Sequence, residues 1–131
     1  MQTRQAASAY KEAALETAPP IKIVHMLYEG AIRSLLQAEE AEREGPATEF
    51  QEKLRRADAI VCELRLCLDH EVAPDVARNL NALYLFVESQ IQEAILERAI
   101  EPIDHARRVL TRLYEGWKAV EVPDPARSAE G

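Results

Sequence analysis

Three histidines and two cysteines are the side chains of this 131-residue chain with the most chemistry to offer, and their spacing offers little. A carboxylate-bridged metal centre in a helical bundle uses Glu-x-x-His pairs, because residues three apart project from one helix face. The residues three before His25, His70 and His105 are Lys22, Cys67 and Pro102, so the requirement fails at each histidine. A zinc site needs cysteines or histidines paired at ligand spacing. Cys62 and Cys67 fall five residues apart on one expected helix, which turns them about 140° from each other. They are read as reduced thiols in a reducing compartment, not as a bridge. Gly30, Gly45, Gly116 and Gly131 stand singly, so no glycine-rich loop cradles a phosphate. A nucleophilic serine or cysteine needs a base oriented by a third group, and nothing places His70 or His105 beside one. No cofactor, no metal and no catalysis are expected.

His25 has one further reading. Histidine phosphotransfer domains are four-helix bundles whose exposed histidine is shortly followed by leucine, lysine and glycine, and His25-Met26-Leu27-Tyr28-Glu29-Gly30 is similar to that pattern. The lysine is missing, the glycine comes one residue late, and Glu29 opposes an incoming phosphoryl group. Phosphotransfer through His25 therefore stands as the alternative to a plain surface or groove-edge histidine.

Prolines divide the chain where they are tolerated, near the first turns of helices. The first helix is expected from about Pro20 to Arg43, the second from Pro46 to about His70, the third from Pro74-Asp75 to about Arg98, and the fourth from Pro102 to about Val120. Connections this short favour antiparallel neighbours. Phe50, Leu54, Ala57, Val61, Leu64 and Leu68 recur at alternating spacings of four and three, the mark of a bundle seam. Ile103, Ala106, Leu110, Leu113, Trp117 and Val120 repeat it, leaving Arg107, Arg108, Thr111, Arg112 and Lys118 as a basic outer face. In the third helix the seam is drawn through Val76, Leu80, Leu83, Val87, Ile91 and Ala94, with Tyr84 and Phe86 at its borders. No strand alternation or hairpin signal appears. The fold class is all-α: an antiparallel up-and-down four-helix bundle with a short N-terminal arm or helix.

The first helix carries more apolar surface than a bundle needs to bury. Val24, Leu27, Tyr28, Ala31, Leu35 and Ala38 make a seam, which Ile21, Ile32 and Leu36 widen on one flank and Ile23 and Met26 on the other. A core-facing stripe is usually only somewhat wider than about 100°, so something outside the bundle is expected to cover the excess. The arm, another polypeptide and a second copy of the chain are the candidates. Residues 1–16 read as that arm, a possible groove lid; residues 17–120 as the bundle domain; and residues 121–131, rich in proline and charge, as a disordered tail. A net charge of -7 with no lysine-arginine block gives no footprint for nucleic acid. No apolar leader follows Arg4 and no 18 apolar residues run together, so a soluble, cytoplasmic protein without membrane insertion is expected.

In order, Tyr10, Thr17-Ala18, Pro20, Met26-Leu27-Tyr28-Glu29-Gly30-Ala31-Ile32, then Ala57, Ile60, Glu63-Leu64 and Leu68-Asp69, then Ala77, Asn79-Leu80 and Leu83-Tyr84, and finally Leu113 and Trp117 resemble the FliS family of flagellar export chaperones. The likeness runs from about Tyr10 to Lys118. It departs from the family's common pattern at Glu29, where aspartate or asparagine is usual, and at Pro19, where a serine or threonine would cap the helix. The resemblance implies a small helical bundle that binds the disordered C-terminal segment of flagellin, prevents premature polymerisation, and aids delivery to the type III export gate. It also implies a lid, here Tyr10 and Leu15, over the client groove. For the groove, Ile21, Ile23, Met26, Ile32 and Leu36 are expected, extended by Leu66, Leu85 and Leu96. Pro20, Leu27, Tyr28, Gly30, Leu83, Tyr84 and Trp117 are expected to be structural, with Gly30 letting a neighbour approach closely.

Overall fold

The computed structural model describes residues 20–119, which form α1 (Pro20–Glu44), α2 (Ala47–Leu66), α3 (Pro74–Glu97) and α4 (Glu101–Ala119). The arm with Tyr10 and Leu15, and the tail from residue 121, lie outside the described residues. α1 packs against α2 and α4, and α3 packs against the same two, so the short connections close an antiparallel four-helix ring. No helix among the described residues is long and apolar enough to cross a membrane.

The helix ends have local causes. The Gly45 N–H reaches the Ala41 carbonyl at 2.7 Å as α1 stops, and Pro46 stands immediately before α2. α2 ends at Leu66, short of the expected His70. The Cys67 N–H still turns back to the Glu63 carbonyl, but the Asp69 carboxylate then accepts the N–H groups of Glu71 at 2.9 Å and Val72 at 3.3 Å. Such a side-chain turn competes with helix propagation and draws the chain away. α3 begins on Pro74, whose missing N–H costs nothing in a first turn. It closes on Arg98 in the left-handed region at φ 51, a conformation costing a non-glycine residue roughly 1–2 kcal/mol. The Arg98 Nε donates to Glu42 at 2.8 Å, which ties this corner to the end of α1.

The core holds most of the expected seams of α1, α2 and α4, with Val24, Leu27, Leu68, Leu113 and Trp117 half-buried against it, Val120 outside the described residues, and one shift in α3. Tyr28, Ala31, Leu35 and Ala38 are buried from α1; Phe50, Leu54, Ala57, Val61 and Leu64 from α2; Ile103, Ala106 and Leu110 from α4. In α3 the buried set is Ala77, Tyr84, Val87, Ile91 and Ala94, while Val76 and Leu83 are exposed. Val87, Ile91 and Ala94 are buried as expected, and only the first half of the seam is turned by one residue, from Val76 and Leu83 to Ala77 and Tyr84. Tyr84, placed at the border from sequence, lies at the centre because its hydroxyl shares a 2.6 Å hydrogen bond with that of Tyr28. That bond crosses the bundle diagonally from α1 to α3 and satisfies two buried hydroxyls at once.

Between α2 and α3 the packing is polar. Arg65 forms a two-point contact with Glu88, at 2.7 and 3.3 Å. Asp58 Oδ2 accepts from Gln92 at 3.4 Å, while its buried Oδ1 has no partner. Burial first, and the Glu88 charge second, push the Asp58 carboxyl above the usual aspartate range. The folded state thus binds this proton more readily than the unfolded chain does. Asp58 therefore subtracts stability at neutral pH, and the loss is relieved as pH falls from the raised value toward the ordinary one. Asp58→Asn is expected to raise the urea midpoint at pH 7 and to raise it less at pH 4. Equal gains at both pH values would refute the account.

Candidate functional site

An apolar opening lies between α3 and α4. Residues 76, 80 and 83 recur at helical spacing on the flank of α3 beside α4, and residues 113, 116 and 117 meet them from α4. Val76, Leu80, Leu113, Gly116 and Trp117, with Arg112 at the edge, line a groove of about 300 Å³. Val76 is 58% exposed, Leu83 38% and Phe86 44%, so the apolar strip continues along α3 past the groove itself. From Val76 to Phe86 the strip spans about 15 Å at the helical rise, nearly three turns of an incoming helix.

The groove floor is open at Gly116, where an added Cβ would meet nothing within 4 Å. Glycine inside a helix costs roughly 1 kcal/mol relative to alanine. Gly116→Ala is therefore expected to stabilise the fold by about that amount, read as a higher thermal midpoint, while the new methyl takes room from the groove. An unchanged or lower midpoint would show that the glycine is needed by the fold itself.

One end of the groove is set by an aromatic clasp. His25 Nε2 donates to the Trp117 carbonyl at 2.9 Å, one of the last α4 carbonyls, which the ending helix leaves short of partners. The His25 ring meets Tyr114 edge-on at 5.6 Å, and Tyr114 stacks on Tyr28 at 5.7 Å between centroids. The Tyr114 hydroxyl donates to Glu29. That bond, with burial and the Glu29 charge behind it, pushes the Tyr114 hydroxyl up to about 12. Lys118 sits 4.9 Å over the same ring, a cation–π contact. A carbonyl can only accept, so Nε2 carries the proton and is engaged in holding α4. This geometry disfavours the phosphotransfer alternative for His25, which calls for a ring nitrogen open to a phosphoryl donor.

The residues expected to form a groove on α1 do not share one opening. Met26 and Leu36 are exposed, Ile21 and Ile32 are half-buried, and Ile23 is buried. At 100° per residue, Ile23 lies on the flank with Gly30, which faces Ile60 of α2, and Ile32 on the flank with His25, which faces α4. The width read from sequence is thus largely spent on two helix neighbours. Leu66, Leu85 and Leu96 are exposed, Leu96 at 83%, and project from the outer sides of α2 and α3. Among the structural residues, Pro20 opens α1, Tyr28 and Tyr84 are buried, and Leu27 and Trp117 pack half-buried against the core. Leu83 instead lies on the surface strip. A Cβ on Gly30 would stand 3.4 Å from the Ile60 side chain, an ordinary contact, so the close approach expected there involves a side-chain tip and not a backbone.

Sequence reasoning missed the α3/α4 groove because it assigned Val76 and Leu83 to the core. The available signal was the breadth of apolar residues on α3, where Val76, Leu80, Leu83, Tyr84, Phe86 and Val87 cover more arc than two neighbouring helices need. Among the described residues no group of three or more histidine, cysteine or acidic side chains is placed to hold a metal ion.

The family described as flagellar protein FliS matches residues 2–124. The flagellar secretion chaperone FliS of Vibrio cholerae is 32% identical over 121 residues, spanning 89% of each chain. That of Campylobacter jejuni is 32% identical over 120 residues, spanning 92% of this chain and 94% of its own. A crystal structure of a bacterial flagellar chaperone superposes with a TM-score of 0.74 at 28% identity, over 88% of this chain and 94% of the other. A match across almost the whole length, relatives alike from end to end, and the same helical bundle together place this chain in the FliS family of flagellar proteins.

Proposed function

We propose that this chain is a flagellar secretion chaperone whose client is the C-terminal segment of flagellin, held from premature polymerisation in the cytoplasm and passed to a component of the export gate. The observation that carries the reading is the apolar strip of Val76, Leu80, Leu83 and Phe86 beside Leu113 and Trp117. A client segment that folds as an amphipathic helix lays anchors at i, i+3 or i+4, and i+7 into such a groove. Ordering the segment opposes binding, and burial of apolar surface offsets it at roughly 25 cal/mol per Å². Contact with a long stretch of bundle is therefore required. Met26, Leu36, Leu66, Leu85 and Leu96 are further apolar points that a wrapping client would cover. Tyr10 and Leu15 would act as a displaceable lid, and a second copy of the chain would cover the strip when client is absent.

Calorimetric titration with a peptide from the flagellin C-terminus, followed in parallel by circular dichroism, tests this. Saturable binding with a gain of peptide helicity is expected. No heat and no helicity gain, with the bundle itself intact, would overturn the proposal.

A further inference from the structure

This inference rests on the reading of the α3/α4 groove as the client site and concerns what the client must carry. We infer that Arg112 selects a client segment in which a carboxylate stands beside the apolar anchors. Arg112 is the one charged residue among those lining the groove. Its arginine neighbours are occupied: Arg108 pairs with Asp104 at 2.9 Å, Arg107 with Asp104 at 2.7 Å, and Arg78 with Asp75 at 3.1 Å. Arg112 has no such partner among the described residues. Glu115, three residues further on α4, forms no ion pair with it. An exposed guanidinium at the rim of an apolar slot offers a fork of donors that matches a carboxylate, and its stem can lie along the apolar wall.

The charge of the whole chain sharpens the selection. At a net charge of -7, the protein repels an acidic segment in general. A carboxylate is therefore disfavoured everywhere along the surface except beside Arg112, and the pair sets the segment's register in the groove. Specificity arises from this difference more than from the strength of one contact.

Titrations of the full chain with the flagellin C-terminal peptide test the inference. Arg112→Met keeps the stem and removes the charge; it is expected to weaken binding about three- to tenfold, the range of a half-exposed charge-assisted pair, and to reduce the salt dependence. Arg112→Glu is expected to weaken it further. At one peptide position, replacing Asp or Glu with Lys should restore binding to Arg112→Glu while weakening it to the parent. Circular dichroism of both variants checks that this exposed site leaves the bundle folded. If the parent binds and both variants bind equally well, or if no peptide position shows the reversal, the inference is overturned and the chaperone reading stands. If the parent does not bind the peptide, both fall. Sedimentation showing a dimer of the free chain that Arg112→Glu dissociates would assign the groove to a second copy and likewise overturn it.

Discussion

Val76→Glu combined with Leu83→Glu is expected to weaken flagellin-peptide binding about a hundredfold, close to 2.7 kcal/mol at about 1.4 kcal/mol per decade, with the helical content and thermal midpoint of the bundle nearly unchanged. Both side chains are already partly in water, so a carboxylate there disturbs the free protein little. In a complex, the same two positions would lose apolar burial of the order of 1.5–3 kcal/mol per fully covered side chain and gain two charges to desolvate. Leu96→Glu is the comparison: Leu96 is equally apolar but sits at the far end of α3 and outside the groove, a peripheral point for a wrapping client, and binding should change less than threefold. Met26→Glu and Leu36→Glu place the same charge on the outer face of α1. A large loss there with little at Val76 and Leu83 would move the client site to α1.

The largest effect on stability should come from Tyr28. Tyr28→Ala removes a fully buried ring, its stack on Tyr114 and the partner of the Tyr84 hydroxyl. Large-to-small changes of this kind cost about 3–5 kcal/mol, and a thermal midpoint lowered by more than about 10 °C is expected. Tyr28→Phe isolates the hydroxyl. It keeps the ring and takes the Tyr28 hydroxyl from Tyr84, leaving the Trp117 side chain as its remaining polar neighbour, which costs about 1–3 kcal/mol. Tyr28→Phe with Tyr84→Phe removes both hydroxyls and should recover most of that loss. Burial raises both hydroxyls above the usual tyrosine range, so the bond persists through neutral and mildly alkaline pH. Denaturant midpoints of the two single variants and the double complete the cycle, and additive losses would show that the hydroxyls do not act as a pair.

The bundle was legible where one face of a helix carried the whole signal. In α2 the apolar residues recur on a single stripe with charged residues around it, so Phe50, Leu54, Ala57, Val61 and Leu64 could be read directly. α3 was ambiguous because two stripes one residue apart are both apolar, and larger aliphatics at Val76 and Leu83 outweighed Ala77 and Tyr84. What decides between them is the Tyr28 hydroxyl, 56 residues away, and no local pattern announces it. The same holds for His25, whose role is fixed by the Trp117 carbonyl 92 residues on. The family was legible from short runs such as Met26-Leu27-Tyr28-Glu29-Gly30. The groove was not, because a stripe's width shows that something covers it and leaves open whether a bundle neighbour or a partner does so.

The clasp between His25 and Trp117 bears on how the chain is born. α1 and α2 can pair as soon as both leave the ribosome, but the flank of α1 that holds His25, Glu29 and Ile32 waits for α4. At synthesis rates of about 5–20 residues per second, that flank stays uncovered for roughly 5–20 s. Closing the ring is then a late step across a long loop, whose entropic cost rises only slowly with length. A nascent chain interrupted before Tyr114 would leave α1 with an uncovered apolar edge where His25, Glu29 and Ile32 await α4.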